Sequence, residues 1–106
     1  MSRDPRAAYD AVVDELKATS AATTGAMFGM PCLKTGGKAF AGYFQGAMVF
    51  KLGGAAHAEA LALPGARLFD PMGGRPMKEW VDVPPAQAST WLRVARAALA
   101  YLGKAG

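Results

Sequence analysis

The sequence has very few of the residues that build cross-links and metal centres. It contains a single cysteine, Cys32, and a single histidine, His57. One cysteine excludes an internal disulfide framework, and one of each leaves no Cys/His set for a structural zinc site. The chain also has no apolar run long enough for a signal peptide or a membrane span. We therefore expect a soluble, cytoplasmic protein that holds no metal or cofactor and has no membrane partner.

Charged residues are scarce as well. They make up 19% of the 106 residues, whereas hydrophobic residues make up 52%. This balance is typical of an ordered globular chain and not of a disordered one. A chain of this length buries only one modest core, so we expect a single domain over residues 1–106.

Hydrophobic periodicity predicts a helix at each end of the chain and strands between them. Asp4 and Pro5 form an N-cap and first-turn pair, and the helix that follows is predicted over Pro5–Ala18. An alanine-rich run and the segment after Pro84 and Pro85 predict two more helices. The alanine-rich helix is predicted over Ala55–Leu63. The predicted strands are Ala26–Met30, Lys38–Phe44, a run carrying Met48, Phe50 and Leu52, Arg67–Asp70 and Met77–Val83. The order α-β-β-β-α-β-β-α indicates a single-domain α+β fold, with a mainly antiparallel sheet packed by the terminal helices.

Alternation within the strands assigns most of the aromatic residues to packing. It places Phe40 and Phe44 on one face of their strand and Tyr43 on the other. The next strand adds Met48 and Phe50 to the face of Phe40. We expect this face to form the core, which leaves Tyr43 as the one aromatic residue here on the other face, too little for a base-stacking platform.

Acidic residues are unevenly spaced along a chain whose formal net charge is +4. No Asp or Glu lies between Glu15 and Glu59, and none follows Asp82. If these two stretches meet on one face, they form a positive patch that attracts phosphates or an acidic protein surface. The alternative is a scattered, solvated set of charges. The candidate contacts are Lys34, Lys38, Lys51, Arg93 and Arg96.

Side chains suited to catalysis do not form a recognisable set. Cys32 and Lys34 share a face of an extended segment, so the ammonium could favour the thiolate and make Cys32 a reactive thiol. The alternative is a free cysteine that packs as a small hydrophobe. We expect His57 at the surface. We expect the carboxylates of the second hairpin to pair with its cationic side chains across strands; the carboxylates are Asp70, Glu79 and Asp82, and the cations are Arg67, Arg75 and Lys78. No catalytic, cofactor-binding or metal-binding residue is predicted, and hence no enzyme.

Two hydrophobic stretches resemble a known family. The first is Met27-Phe28-Gly29-Met30, followed by Gly37-Lys38-Ala39-Phe40-Ala41 and Met48-Val49-Phe50-Lys51-Leu52. The second is Pro64-Gly65-Ala66 with Phe69, Pro71, Met77 and Trp80-Val81-Asp82-Val83-Pro84. Both are similar to the TfoX N-terminal domain, the front half of the TfoX/Sxy competence regulators, over about residues 24–99. The MmcQ/YjbR type of small fold, often labelled DNA-binding, is a weaker match because the Met-Phe-Gly step favours the first family.

The resemblance implies a fold and a role. The fold is α+β, with helices over a strongly bent sheet, and the role is bacterial transcriptional control exercised with a cyclic-AMP receptor protein. The family brings no catalytic set. Its regulators carry a second, C-terminal helical domain, and we expect this chain to be a stand-alone N-terminal domain.

We hypothesise a non-enzymatic regulatory or interaction module that binds a protein partner and is linked to transcription regulation. Two alternatives remain open. Direct nucleic-acid binding would use the five basic residues named above and would weaken steeply with salt. Small-molecule binding would use a pocket lined by methionines, which form adaptable apolar surfaces. A second copy of the chain is also a candidate partner, because the final helix has a wide apolar face.

Overall fold

The protein folds as an α+β domain, which confirms the predicted class. The computed structural model describes residues 4–27, 29–70, 73–74 and 76–105. Within these ranges the helices are α1 (Pro5–Thr19), α2 (Gly54–Leu61) and α3 (Trp91–Ala105), and a 3₁₀ segment, Pro85–Thr90, precedes α3. The strands are β1 (Thr23–Met27), β2 (Met30–Thr35), β3 (Lys38–Phe44), β4 (Ala47–Lys51), β5 (Arg67–Phe69) and β6 (Met77–Val83).

All six strands belong to one antiparallel sheet with the order β1-β2-β3-β4-β6-β5. The outer strands are therefore β1 and β5. One row of directly paired residues, one from each strand, runs across the whole sheet. This row serves as a reference for describing the two faces of the sheet. That row is Gly25, Cys32, Gly42, Val49, Asp82 and Arg67.

The first helix begins and ends where its sequence predicts, to within a residue. The Asp4 side chain accepts a hydrogen bond from the Arg6 backbone N–H at 3.0 Å, and Pro5 opens the helix. The Asp4 side chain satisfies a backbone N–H group of the first turn, and the fixed φ of Pro5 favours the helical conformation there. At the other end, the Ser20 hydroxyl donates to the Leu16 carbonyl at 2.6 Å. Local chemistry therefore marks both ends of this element, and its buried residues pack into the main core.

The segment predicted as one strand, Ala26–Met30, is instead the junction of two strands. β1 ends at Met27, Gly29 has a positive φ of 76°, and β2 begins at Met30. Glycine tolerates this left-handed conformation, so the chain can reverse here. Pro31 does not end the strand, because it lies beyond the last β2–β3 pair and its missing N–H removes no bond to β3. Phe28, in the same segment, lies outside the described residues.

A β-bulge in β3 overturns the predicted faces of the aromatic residues. Leu33 pairs with Ala41 and Lys34 with Ala39, so Phe40 is an extra residue in β3. Such an insertion switches the side-chain alternation. Phe40 therefore packs under the helices, whereas Phe44 lies on the opposite face. The prediction that these two rings share a face is wrong for this reason.

The sheet separates two cores of different construction. The main core contains buried residues from all three helices and from the facing side of the sheet, including Trp91, Phe40 and Phe50. The second core, on the other face, is built from strand residues alone. Its buried members are Met30, Val49, Phe69 and Trp80, with Ala39, Phe44 and Met77 packed against them.

The second core is closed by curvature of the sheet. The rings of Phe44 and Phe69 meet edge to face with their centroids 5.2 Å apart. Their strands, β3 and β5, are separated by β4 and β6, which in a flat sheet would place them about 14 Å apart. The sheet must therefore bend towards this side, which we call the concave face. The bent sheet implied by the family resemblance is present.

Candidate functional site

The five basic candidates divide into two groups. Lys34, Lys38 and Lys51 lie on the neighbouring strands β2, β3 and β4, at the end of the sheet where β2 and β4 finish and β3 starts. Arg93 and Arg96 lie on α3, which packs on the helix-covered face. The Arg96 guanidinium donates to a Glu15 carboxylate oxygen at 3.0 Å. The structure therefore does not gather the five into one patch.

Cys32 is fully buried, at 0% exposure, between two glycines on the neighbouring strands, Gly25 and Gly42. Burial raises the pKa of its thiol, and the nearby Lys34 ammonium opposes that rise only in part. The expected proximity of Lys34 is thus present, but the net effect disfavours the thiolate. An inaccessible, protonated thiol is the character of a packing residue and argues against a reactive thiol.

The polar side chains between the helices and β6 serve as structural links. The His57 Nε2 nitrogen lies 2.7 Å from the Lys78 backbone carbonyl, to which it must donate its proton, and so fastens α2 to β6. The Tyr101 hydroxyl donates to a Glu79 carboxylate oxygen at 2.8 Å, a bond that raises the pKa of Tyr101. Among the described residues, no three His, Cys, Asp or Glu side chains come together as metal ligands.

The concave face contains a cleft of about 480 Å³ beside the second core. Phe44 and Phe69 form an aromatic part of its wall, and Arg67 and Asp82 supply charge. Ala47, Asp70, Pro84 and Pro85 also line it. Sequence reasoning missed this cleft for two reasons. Alternation assigns Phe44 to the main core, and residues of four different strands line this cleft, of which β3 and β5 approach each other only because the sheet is bent.

Asp82 is the most unusual charged group in this cleft. Its side chain is only 14% exposed, and its one ion pair with a described residue, Arg67, has a long Nε–Oδ2 distance of 3.9 Å. That distance exceeds a direct hydrogen bond. Burial raises the pKa of the Asp82 carboxyl, and the Arg67 guanidinium opposes that effect. One cross-strand ion pair of the expected kind is therefore present, Asp82 with Arg67, whereas Glu79 accepts a hydrogen bond from Tyr101 instead. The long contact leaves the Asp82 carboxylate without a close hydrogen-bond donor among the described residues.

Asp70, the second carboxylate in the cleft, shapes the adjoining turn. Its Oδ1 atom accepts hydrogen bonds from the backbone N–H groups of Gly73 at 2.8 Å and Gly74 at 3.0 Å. Aspartate commonly closes turns in this way. Local hydrogen bonds therefore fix the part of the cleft wall formed by Asp70 and Gly73.

The outer strand β1 is a second candidate site. Its residues Thr23, Thr24, Gly25 and Ala26 are exposed, and no residue from Thr23 to Met27 is charged. The Lys34 side chain lies across this strand: a Cβ atom added to Gly25 would be 3.1 Å from Lys34 Cε and 3.5 Å from Nζ. An ammonium group therefore stands over an otherwise uncharged edge of the sheet.

The hydrogen-bond pattern of β1 can be inferred from its partner strand. Antiparallel pairs alternate between hydrogen-bonded and non-hydrogen-bonded types. Ala26 pairs with Pro31, which has no N–H, so we infer that this pair is of the second type. The pair that contains Thr24, two residues earlier, is then also non-hydrogen-bonded. Both residues direct their N–H and C=O groups away from β2, towards the open edge.

Comparisons with known proteins add no assignment. The sequence matches no protein-family model, and no curated protein or solved structure matches it at a significant level. The resemblance to the TfoX N-terminal domain therefore remains a hypothesis based on the quoted residues. No helix in the described ranges is long and apolar enough to cross a membrane.

Proposed function

We propose that this protein is a non-enzymatic interaction module that binds an extended, acidic segment of a partner protein along β1. The added segment would become a seventh strand of the sheet. In this mode of recognition, main-chain hydrogen bonds provide affinity and the side chains beside the edge provide selectivity. The observation that carries the proposal is the open, uncharged edge of β1 with the Lys34 ammonium above it.

The character of this edge supports a binding role. Open edges invite pairing with other chains, and proteins commonly block them with charged residues, proline or bulges. The sequence Thr23–Met27 contains no proline and no charge, and its described register with β2 is regular. The opposite edge strand, β5, has only three residues and an irregular register with β6. Of the two edges, β1 is the better template for strand addition.

The chemistry of the partner follows from charge. A residue of the added strand that faces Gly25 would lie within about 5.5 Å of it. Because Gly25 has no side chain, a carboxylate at that position could reach Lys34 Nζ directly. The formal net charge of +4 also favours an acidic partner. The family resemblance supports a partner involved in transcription, in the cytoplasm.

Selection of random linear peptides displayed on phage would test this proposal. We expect enriched peptides to contain Asp or Glu within an extended, alternating pattern. Ala26→Pro should weaken their binding at least about tenfold, or ~1.4 kcal/mol, because it removes an outward N–H without breaking an inferred bond to β2. Ala26→Val keeps that N–H and serves as the matched control.

Two further variants test the charge argument. Lys34→Gln should weaken the selected acidic peptides, and Lys17→Gln, at an exposed position of α1, should not. The proposal is wrong if no peptide is enriched, or if Ala26→Pro and Ala26→Val bind equally. Sedimentation that shows a dimer converted to a monomer by Ala26→Pro would assign the edge to a second copy instead.

A further inference from the structure

We propose that the cleft on the concave face is a separate binding site, in which Asp82 receives the ammonium or guanidinium group of a small organic cation with an apolar body. This site is distinct from the β1 edge. Asp82 and Gly25 belong to the same cross-strand row, but β2, β3 and β4 lie between their strands.

The size of the cleft and one apolar part of its wall suit such a ligand. Its volume of about 480 Å³ falls within the range of roughly 300–1,000 Å³ that is usual for small-molecule sites. The half-buried ring of Phe44, with Ala47, Pro84 and Pro85, supplies apolar surface. The exposed lining of the cleft as a whole is more polar than apolar. Its charged groups are Asp82, Asp70 and Arg67.

Asp82 is the group that a ligand would satisfy. An ionised carboxylate offers about four acceptor positions, and here it has one long contact of 3.9 Å. Removing a carboxylate from water without replacing its hydrogen bonds is costly. A ligand ammonium would donate short, charge-assisted hydrogen bonds to the same oxygens. The cleft therefore provides both a space and an acceptor that no described residue satisfies with a short hydrogen bond.

The sign of the ligand follows from the described charges around the cleft. Two carboxylates, Asp70 and Asp82, and one guanidinium, Arg67, line it. The local charge of this lining is negative, although the chain as a whole is positive. The Arg67 side chain is 80% exposed, so it can move towards solvent when a cation arrives. An anionic ligand would instead meet two carboxylates close to its only cationic partner in the described lining.

Two-dimensional NMR with three matched probes tests this inference. The probes are phenethylamine, its neutral analogue phenethyl alcohol and the anion 3-phenylpropionate. We expect the amine to shift amide signals at Arg67, Phe69 and Asp82, with a dissociation constant on the order of 1 mM. The alcohol and the anion should cause much smaller shifts at these positions. The Ala26→Pro variant should bind the amine as the wild type does.

Variants of the two charged residues separate the possible outcomes. Asp82→Asn should weaken amine binding about tenfold or more, and Asp14→Asn, at an exposed position of α1, should leave it unchanged. Arg67→Gln should strengthen amine binding, because it removes a competing cation. The inference is overturned if the amine causes no localised shifts or if the alcohol binds equally well. It is also overturned if 3-phenylpropionate binds best and Arg67→Gln abolishes that binding.

Discussion

The two faces of the sheet bury apolar residues by different means. On the helix-covered face, side chains of α1, α2 and α3 close over the sheet and form the main core. On the concave face, strand residues alone form the second core, and the bend that brings Phe44 to Phe69 takes the place of a covering helix. A bent sheet covers its own centre but leaves its margin open. The cleft lies at that margin, and the helix-covered face is the structural support.

The largest expected difference between the faces concerns two buried phenylalanines. Phe50 lies in the main core and Phe69 in the second core, and both are fully buried. Replacing a core phenylalanine by alanine costs about 3–5 kcal/mol, depending on how far the site can collapse. We expect Phe50→Ala at the upper end of this range and Phe69→Ala at the lower end, measured by chemical denaturation. A larger loss for Phe69→Ala would show that the concave face is the more rigidly packed.

A smaller pair of effects concerns added methyl groups. A Cβ atom at Gly53 would lie 2.8 Å from Tyr101 Cζ, whereas one at Gly25 would meet the flexible Lys34 stem at 3.1 Å. We expect Gly53→Ala to lower the free energy of unfolding by about 1–3 kcal/mol through overpacking. Gly25→Ala should change it by less than about 0.5 kcal/mol, because Lys34 can move.

Denaturation of both glycine variants, with NMR shifts of Tyr101 and Lys34, checks this comparison. Equal destabilisation by the two substitutions would contradict the proposed difference in packing. It would mean that the Lys34 side chain is held in place over β1 as firmly as the Tyr101 ring is held against Gly53.

The smallest expected effect is the pH dependence contributed by Asp82. Because its folded pKa is raised above the ordinary value of 3.8, the folded state favours the protonated form. Asp82 therefore stabilises the fold at low pH, and this contribution is lost as pH rises through the folded pKa. Arg67 and Asp70 are the other charged groups in the described lining of the cleft. Asp82→Asn should raise the Tm near pH 7. It should change the Tm little at pH values below the pKa of the Asp82 carboxyl in the unfolded chain.

Thermal unfolding over a pH series, with Asp14→Asn as the exposed control, measures this effect. A Tm lowered near pH 7 by Asp82→Asn would show that the loose contact with Arg67 stabilises the fold more than burial of the carboxylate destabilises it. The account of Asp82 as an unsatisfied acceptor would then be wrong.

Local signals in the sequence predict much of this fold. The Asp4 cap and Pro5 set the start of α1, and the alternating pattern predicts the two strands that become β3 and β4. These features depend on neighbours along the chain. The sequence also predicts cross-strand ion pairs within the second hairpin, of which Arg67 with Asp82 is present in the cleft.

Features that depend on distant partners could not be predicted in this way. The bulge at Phe40 follows from how β3 pairs with β2, and alternation within β3 carries no sign of it. The approach of Phe44 to Phe69 requires the curvature of four strands. The break of Ala26–Met30 into two strands has a local signal, Gly29, but the apolar run around it predicts one continuous strand. A single strand there leaves no separate β1, so the open edge of β1 is not predicted either.

The most direct test of the central claim, strand addition at β1, is amide hydrogen exchange at Thr24 and Ala26. In the free protein we expect both amides to exchange quickly, because their N–H groups face the open edge, while Gly25 between them is protected. Saturation with a selected acidic peptide should protect Thr24 and Ala26 by about tenfold or more. Peptide binding that leaves these two amides unprotected, or slow exchange at both in the free monomer, would contradict the account.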